Sequence, residues 1–403
     1  MKKWTLFLLL THVILSCGLS EIGEVSSDTG NGSIWGGLVE ENGSGGGLLE
    51  SVRYMVAVDY PKGYDWRADP ARENVRCSLV VYADDSPVMK VPVSQVYQIA
   101  SDADMHRMAG GNLYTDYTNG IETVIKRNGK PLFSYQGTER ISSLTISGDD
   151  VFTLGENRQG SGFSLRKNGD VVIAREKASV VAPLRPDGDS LCFGFCEQIL
   201  NAEGTIDRYY SVYGNKVTNL SLRGDVLKVW DMFTEGGNVV FLASLEGVDV
   251  PVLISGEEMK ALKIPKGQNM ISCSMFKAGD RIGVEGVCLT ASGALKAGIW
   301  IDGTLLVQFD NANFAAVHAE GEGICCVLNP MDETSSGIIY RCGEIYEMPK
   351  GYLCMGPQCM AMINGILNVG LSSQKGEQPL LWKDGQTEAL RINGYISGIW
   401  SQN

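Results

Sequence analysis

Histidine is nearly missing from this chain: among 403 residues only His12, His106 and His318 occur, and the first sits in an apolar N-terminal run. His106 and His318 are far apart and neither has a metal-ligand spacing, so no histidine triad, zinc centre or other metal site is expected. Asp102, Asp104 and His106 do cluster, but Asp104 falls on a ladder of turn residues and reads as a solvated turn. Basic residues are scarce as well, 34 Lys and Arg against 47 Asp and Glu, for a formal charge of −13. With no local basic cluster, that field repels phosphate backbones and excludes nucleic-acid binding. The absence of any Cys-x-x-Cys pair argues against redox catalysis. Long helical patterns are also scarce, and charged residues make up only 20% of the chain, which points away from helical architectures. No residue pattern calls for a cofactor.

What the chain does have is glycine, 49 of them, set in a repeated pattern. The clearest unit is Ile141 to Lys177. Ile141 to Ile146 alternates, Gly148-Asp149-Asp150 turns, and Val151 to Leu154 is a second strand. After a looser loop from Gly155 to Gly162 come a third strand, Phe163 to Arg166, the Asn168-Gly169 turn, and a fourth, Val171 to Ala174. Asn-Gly between two such runs is a strong hairpin signal, because a type I′ turn needs positive φ at both central positions. The turn between third and fourth strands recurs as Asp84-Asp85, Asn128-Gly129, Asn168-Gly169, Gly214-Asn215, Ser255-Gly256, Asp302-Gly303, Cys342-Gly343 and Asp384-Gly385. The turn before the second strand recurs as Asp104, Asp150, Asp189, Asn238, Asp280, Gly323 and Gly365. Two ladders with one period of about 40 to 47 residues and four strands per unit predict an all-β β-propeller.

The ends of the ladder predict how the ring closes. The first unit has a second strand (Tyr54 to Val58), a third (Cys77 to Tyr82) and a fourth (Val88 to Val91) but no first, whereas Tyr395 to Trp400 reads as a surplus first strand. Donated to blade one, it closes the ring and leaves no long exposed edge. Eight blades follow, with seven as the alternative if the first unit is degenerate. Tyr82, Trp300, Tyr340 and Trp382 stand at one position of four units, where they are expected to pack between blades.

The Trp382-Lys383-Asp384-Gly385 and Arg166-Lys167-Asn168-Gly169 turns, with strand starts such as Gly148-Asp149-Asp150-Val151-Phe152, resemble repeat modules of uncharacterised exported propeller lipoproteins of Gram-negative gut anaerobes. The resemblance covers about residues 48 to 403 and implies no activity. Trp230-Asp231 lies in a first strand with no recurring Gly-His partner, so it is no WD signature, and the boxes and arginine triad of sialidases are missing.

At the N-terminus, Met1-Lys2-Lys3, the apolar runs Leu6 to Leu10 and Val13 to Leu15, and Ser16-Cys17-Gly18 have the zones of a secretory signal and are too short to span a membrane. Ile14-Leu15-Ser16-Cys17 resembles a bacterial lipobox, which implies Cys17 as the acylated residue of a cell-envelope lipoprotein held to the membrane by lipid alone, at the outer membrane, periplasmic or surface-exposed. An ordinary signal peptide with a chance cysteine is the alternative. Residues 18–47, rich in Gly, Ser, Glu and Asn, read as a flexible tether of roughly 30 Å r.m.s. span. The propeller domain takes 48–403. Ten cysteines remain after Cys17; most lie in apolar strands, and the favoured reading is buried free thiols, with Cys325 and Cys326 on opposite faces of one strand.

In a four-stranded blade the turns after strands one and three leave on one face, and the connections after strands two and four on the other. The second-to-third-strand connections vary most, and insertions gathered on one face of a repeat protein mark a binding face. The longest, Asp59 to Val75, carries Tyr64, Trp66, Arg67 and Asp69. The second unit adds Gly110 to Gly120 with Tyr114, Asp116 and Tyr117, the third adds Arg158, and the fourth adds Gln198 to Arg208. Aromatic planes beside Arg and Asp suit stacking with directional hydrogen bonds, and plugging of the channel mouth by Tyr64 and Trp66 is the structural alternative. The leading function is a binding or scaffold module for a glycan, peptide or envelope protein. The alternative is a carboxylate-dependent hydrolase or lyase acting on a polysaccharide or peptide at the same face, with Asp69, Asp116 and Glu203 as acids that nothing in the sequence pairs.

The lipobox makes a direct prediction: wild type incorporates a fatty-acid probe in metabolic labelling and Cys17→Ala does not. Equal label on both proteins would remove the anchor.

Overall fold

The computed structural model describes residues 51–402 apart from 66–76, 94–105, 119–120, 138, 158–161, 188–189, 202–203, 224–225, 236, 321–322 and 333–334. These residues form an eight-bladed β-propeller. Blades 2 to 7 each run from inner to outer strand in chain order. Blade 3, for example, is Glu139–Ser147, Asp150–Asn157, Phe163–Lys167 and Asp170–Arg175. Blade 8 departs from the rule: its inner strand is split into Tyr352–Leu353 and Met360–Ile363, both paired to Ile366–Ser373.

Blade 1 is composite. Gly394–Gln402 pairs antiparallel with Val52–Asp59, from Val52 opposite Gln402 to Asp59 opposite Gly394, and becomes the blade's inner strand. Side chains secure the junction. Asn393 donates through Nδ2 to the carbonyls of Pro61 (2.7 Å) and Tyr64 (3.1 Å), while its own carbonyl accepts from the Tyr60 amide (2.8 Å). The backbones approach so closely that a Cβ on Gly394 would run into the Val58 carbonyl oxygen. On the opposite face Asp85 pairs with both Arg53 of blade 1 and Lys383 of blade 8.

The hairpin turns are built by one device. Asp84, Asn128, Asn168, Asp302, Cys342 and Asp384 all have φ between 42° and 52°, the left-handed region that Asn and Asp enter more readily than other residues with a Cβ. In all but Cys342 the side chain has a second use. Asn128 Oδ1 accepts from the Leu113 amide (2.8 Å), Asn168 Oδ1 from Val151 (2.9 Å), and Asp84, Asp302 and Asp384 likewise from Arg53, Ile282 and Leu367. Each outer turn thereby grips the start of its blade's second strand, tying the two turns of that face together. Two positions differ from the sequence ladder. The fifth-unit turn is Gly256-Glu257, since Ser255 pairs with Glu258, and the second unit turns at Gly110-Gly111 between His106–Ala109 and Asn112–Thr118. Asp104 and Asp102 lie outside the described residues.

The core is divided into eight apolar clusters, one at each blade interface. Strand alternation sends successive residues to opposite neighbours: Cys325 joins the cluster between blades 7 and 8, and Cys326 the one between blades 6 and 7. Trp300, fully buried, fills the interface of blades 5 and 6, with Nε1 donating to the Lys263 carbonyl at 3.1 Å. Trp382, Tyr340 and Tyr82 take the same place between blades 7 and 8, 6 and 7, and 8 and 1, as the pattern predicts. Nine of the ten described cysteines are buried and free; Cys342, in its turn, is exposed.

Removing 394–403 would strip blade 1 of its inner strand and take with it the buried side chains of Tyr395, Ile396 and Ile399, each at most 2% exposed. At about 2 kcal/mol per buried side chain, this loss approaches the whole net stability of a typical domain, roughly 5–15 kcal/mol. Aggregation or a large fall in melting temperature is expected, and an unchanged melting curve would mean that the ring does not depend on this strand.

Candidate ligand-binding face

The two ends of the ring are built differently. The turns after first and third strands are short, and in blades 1, 2, 3, 6 and 8 they are laced by the Asx hydrogen bonds. The other end carries the second-to-third and blade-to-blade connections, and its exposed apolar side chains are Ile121 (70% exposed), Leu200 (81%), Ile206, Leu227, Val248, Leu289 and Met355. They come from blades 2, 4, 5, 6 and 8. Leu200 and Ile206 are at the tip of one long hairpin, Ser190–Asn201 with Gly204–Tyr213.

Of the sequence-selected residues, Tyr64 lies on this end. Its ring packs against Tyr60 (centroids 5.5 Å), which in turn meets Tyr395 (6.4 Å), and its carbonyl is held by Asn393. The described start of the long connection is thus pinned across the closure. Trp66, Arg67, Asp69, Arg158 and Glu203 lie outside the described residues. The second-unit segment differs from the sequence reading: 112–118 is a strand, and the apparent insertion arose from placing the preceding turn at Asp104. Tyr114 (7% exposed) consequently packs into the interface of blades 2 and 3, and Asp116 (9%) is buried in the same strand. Tyr117 is half-buried beneath Lys126, whose Nζ is 4.8 Å from the ring centroid. Gln198 to Arg208 is likewise mostly hairpin strand.

One feature of this face was missed in the sequence. In the inner strand of blade 5, Val226–Glu235, register shifts leave Leu227 and Trp230 unopposed by the second strand. Bulges re-aim side chains. Leu227 is 60% exposed, and Trp230, half-buried, donates from Nε1 to Ser244 Oγ (2.9 Å) under Lys228 Nζ, 3.3 Å from its centroid. Burial pushes the Lys228 ammonium pKa below its ordinary value. Bulges arise from pairing, which no single-strand pattern displays.

Titratable groups are also buried between blades, away from this face. Asp231 accepts from the amides of Met232 and Met275, both at 2.7 Å, and lies 3.8 Å from Arg185 Nη2; burial raises its pKa against these partners. Glu285 accepts from Ser274 Oγ at 2.7 Å, and burial, with the Asp231 charge adding to it, pushes it up to about 7. His106 is buried edge-on to Trp400 (5.9 Å), and burial lowers its pKa to about 4, so it stays neutral at physiological pH.

No protein-family model matches the sequence, and no curated protein matches it. Solved structures do resemble it in fold. The dihydro-heme d1 dehydrogenase NirN, in complex with DHE, superposes with a TM-score of 0.50 at 10% identity, covering 86% of this chain and 74% of that one. BamB from Moraxella catarrhalis gives 0.45 at 12% identity over 83% and 90% of the two chains. The β-propeller domain of the Trilobed protease from Pyrococcus furiosus gives 0.42 at 11% identity over 86% and 98%. At such identities the likeness is one of fold.

Glu285 gives a pH test. Its folded value lies above the ordinary carboxyl value, so its favourable contribution is complete at pH below about 4.5 and is lost as pH rises through about 7. A shift of this size corresponds to roughly 3 kcal/mol at most. Glu285→Gln keeps the Ser274 acceptor without the charge, so its melting temperature should gain on wild type between pH 5 and 8. Parallel pH profiles would show that Glu285 does not titrate in this range.

Proposed function

We propose that this chain is a lipid-anchored cell-envelope binding module that engages a protein or peptide partner through the end of the propeller bearing the variable connections. The reading rests chiefly on the aliphatic side chains exposed there, because leaving Leu200, Ile121 and Leu227 in water forgoes burial that about 25 cal/mol per Å² would reward. The opposite end offers short turns whose polar groups already bond one another. Aliphatic anchors with polar groups such as Lys228 and Tyr117 between them suit a partner with apolar side chains better than a sugar, which would call for more open aromatic planes. Tyr64, Trp66, Arg67 and Asp69 of the longest connection, with Arg158, belong to the same proposed surface, where Tyr114 and Asp116 support from within. The lipobox at Cys17 and the tether 18–47 supply the envelope location in this reading. No described arrangement pairs two carboxylates at this face, so nothing favours the hydrolase or lyase reading.

Peptide and glycan arrays probed with residues 48–403 test the proposal. A peptide ligand is expected, and Leu200→Asp with Ile206→Asp should weaken it by about 2 kcal/mol or more, as loss of interface anchors does. Trp66→Ala should act similarly while barely changing stability. A ligand found only among glycans, or one insensitive to all three changes, would overturn the reading.

A further inference from the structure

The split inner strand of blade 8 holds two buried thiols that no part of the binding face uses. Between its halves runs Cys354-Met355-Gly356-Pro357-Gln358-Cys359, with a 3₁₀ turn at Pro357–Cys359. Every other inner strand with a full register to its neighbour carries only one or two register shifts. Here the chain instead leaves the sheet for six residues and returns with a second cysteine. The turn folds both cysteines onto one acceptor: the Gly356 carbonyl takes the Cys354 thiol at 3.4 Å and the Cys359 amide at 3.0 Å. Cys359 Sγ donates to the Ile396 carbonyl of the closing strand at 3.4 Å. Asn329 of blade 7 clamps Cys354 from outside, donating from Nδ2 to its carbonyl (2.8 Å) and accepting its amide at Oδ1 (2.9 Å).

We infer that Cys354 and Cys359 are a dithiol site that is converted to an intramolecular disulfide by exchange with a low-molecular-weight disulfide. The loop supplies what such a bond needs, two cysteines folded onto one carbonyl within a short segment fixed at both ends by sheet pairing. The chemistry balances as two exchanges. The Cys354 thiolate attacks the reagent RSSR to give a mixed disulfide and RS⁻. The Cys359 thiolate then attacks Cys354 Sγ, forming the S–S bond and releasing a second RS⁻. The two thiol protons end on the two RSH, and two electrons pass from the protein to the reagent. With the pair 2% and 1% exposed, the first exchange awaits opening of the 354–359 segment, so it is slower than reaction at exposed Cys342. Of the other buried thiols, Cys325 and Cys326 point into different interfaces, while Cys273 and Cys288 share the cluster of blades 5 and 6 on facing strands.

The test equilibrates the mature chain with glutathione disulfide, both natively and during refolding, then alkylates under denaturing conditions. Peptide mass spectrometry should find Cys354 and Cys359 protected and joined, with the loss of about 2 Da that one disulfide brings. Cys342 should carry glutathione much earlier. In Cys354→Ser the loss should disappear while Cys359 becomes fully alkylated. Two alkylated cysteines at 354 and 359 in both wild-type arms would overturn the inference, as would persistence of the loss in Cys354→Ser.

Discussion

Everything in this molecule depends on the pairing of its last strand with its first. A propeller blade is stable only between two neighbours, because the side chains of each strand alternate between the clusters on either side. In an open ring, blades 1 and 8 would each leave one cluster unfilled. Pairing 394–402 with 52–59 fills both, since Tyr395 enters the cluster of blades 1 and 2 while Ile396 and Ile399 enter that of blades 8 and 1. The hydrogen bonds of the seam fix register, and the alternating apolar side chains of one nine-residue strand join the two halves of the core. Asn393 then uses the same seam to anchor the start of the longest connection, so closure and that connection are mechanically one feature.

Closing the ring leaves eight outer strands facing solvent, and each is made unsuitable for further pairing. In blades 4, 5, 7 and 8 the outer strand is only four residues long. In blades 1, 2, 3 and 6 it is longer, and in each of those a register shift leaves one residue of the outer strand unopposed: Val88, Leu132, Val172 and Leu306. All four are among the exposed aliphatics, at 39% to 55%. Their exposure therefore follows from the bulge, which interrupts the flat edge that another chain would need. That explanation does not extend to Leu200, Ile121 or Val248, and this difference separates surface apolar residues that protect the fold from those on which the proposed function rests.

The architecture was legible because its signals are local. Asn128-Gly129, Asn168-Gly169 and Asp302-Gly303 state a hairpin in two residues, and eight such turns at one period state a ring. The surplus strand at Tyr395 to Trp400 could be recognised for the same reason, by counting. Legibility failed where the decisive fact was pairing across strands. Asp104 matched the ladder by type, yet the turn is Gly110-Gly111, and the misplacement converted a strand bearing Tyr114 and Asp116 into an apparent insertion. Similarly, nothing in the residue order around Trp230 distinguishes a bulged tryptophan from an interior one. Long connections were read from their length, and the strands of the blade 4 hairpin run further than a loop-rich reading of Gln198 to Arg208 allows.

The division between the two ends of the ring carries the functional argument further than any single side chain. Where Asn and Asp side chains accept second-strand amides, the turn must keep its length and its left-handed residue, so that end has little freedom to acquire a site. Among the described residues the second-to-third connections bear no such bond, and in blade 4 the strands flanking one run on to Asn201 and Gly204 without disturbing the clusters beneath them. Variation is thus permitted on one end only, and Ile121, Leu200 and Leu227 are exposed there. On the proposed function, binding specificity is a property of connections laid over a core that is indifferent to them, which is why every repeat states the architecture and only the places where the repeat breaks bear on a ligand.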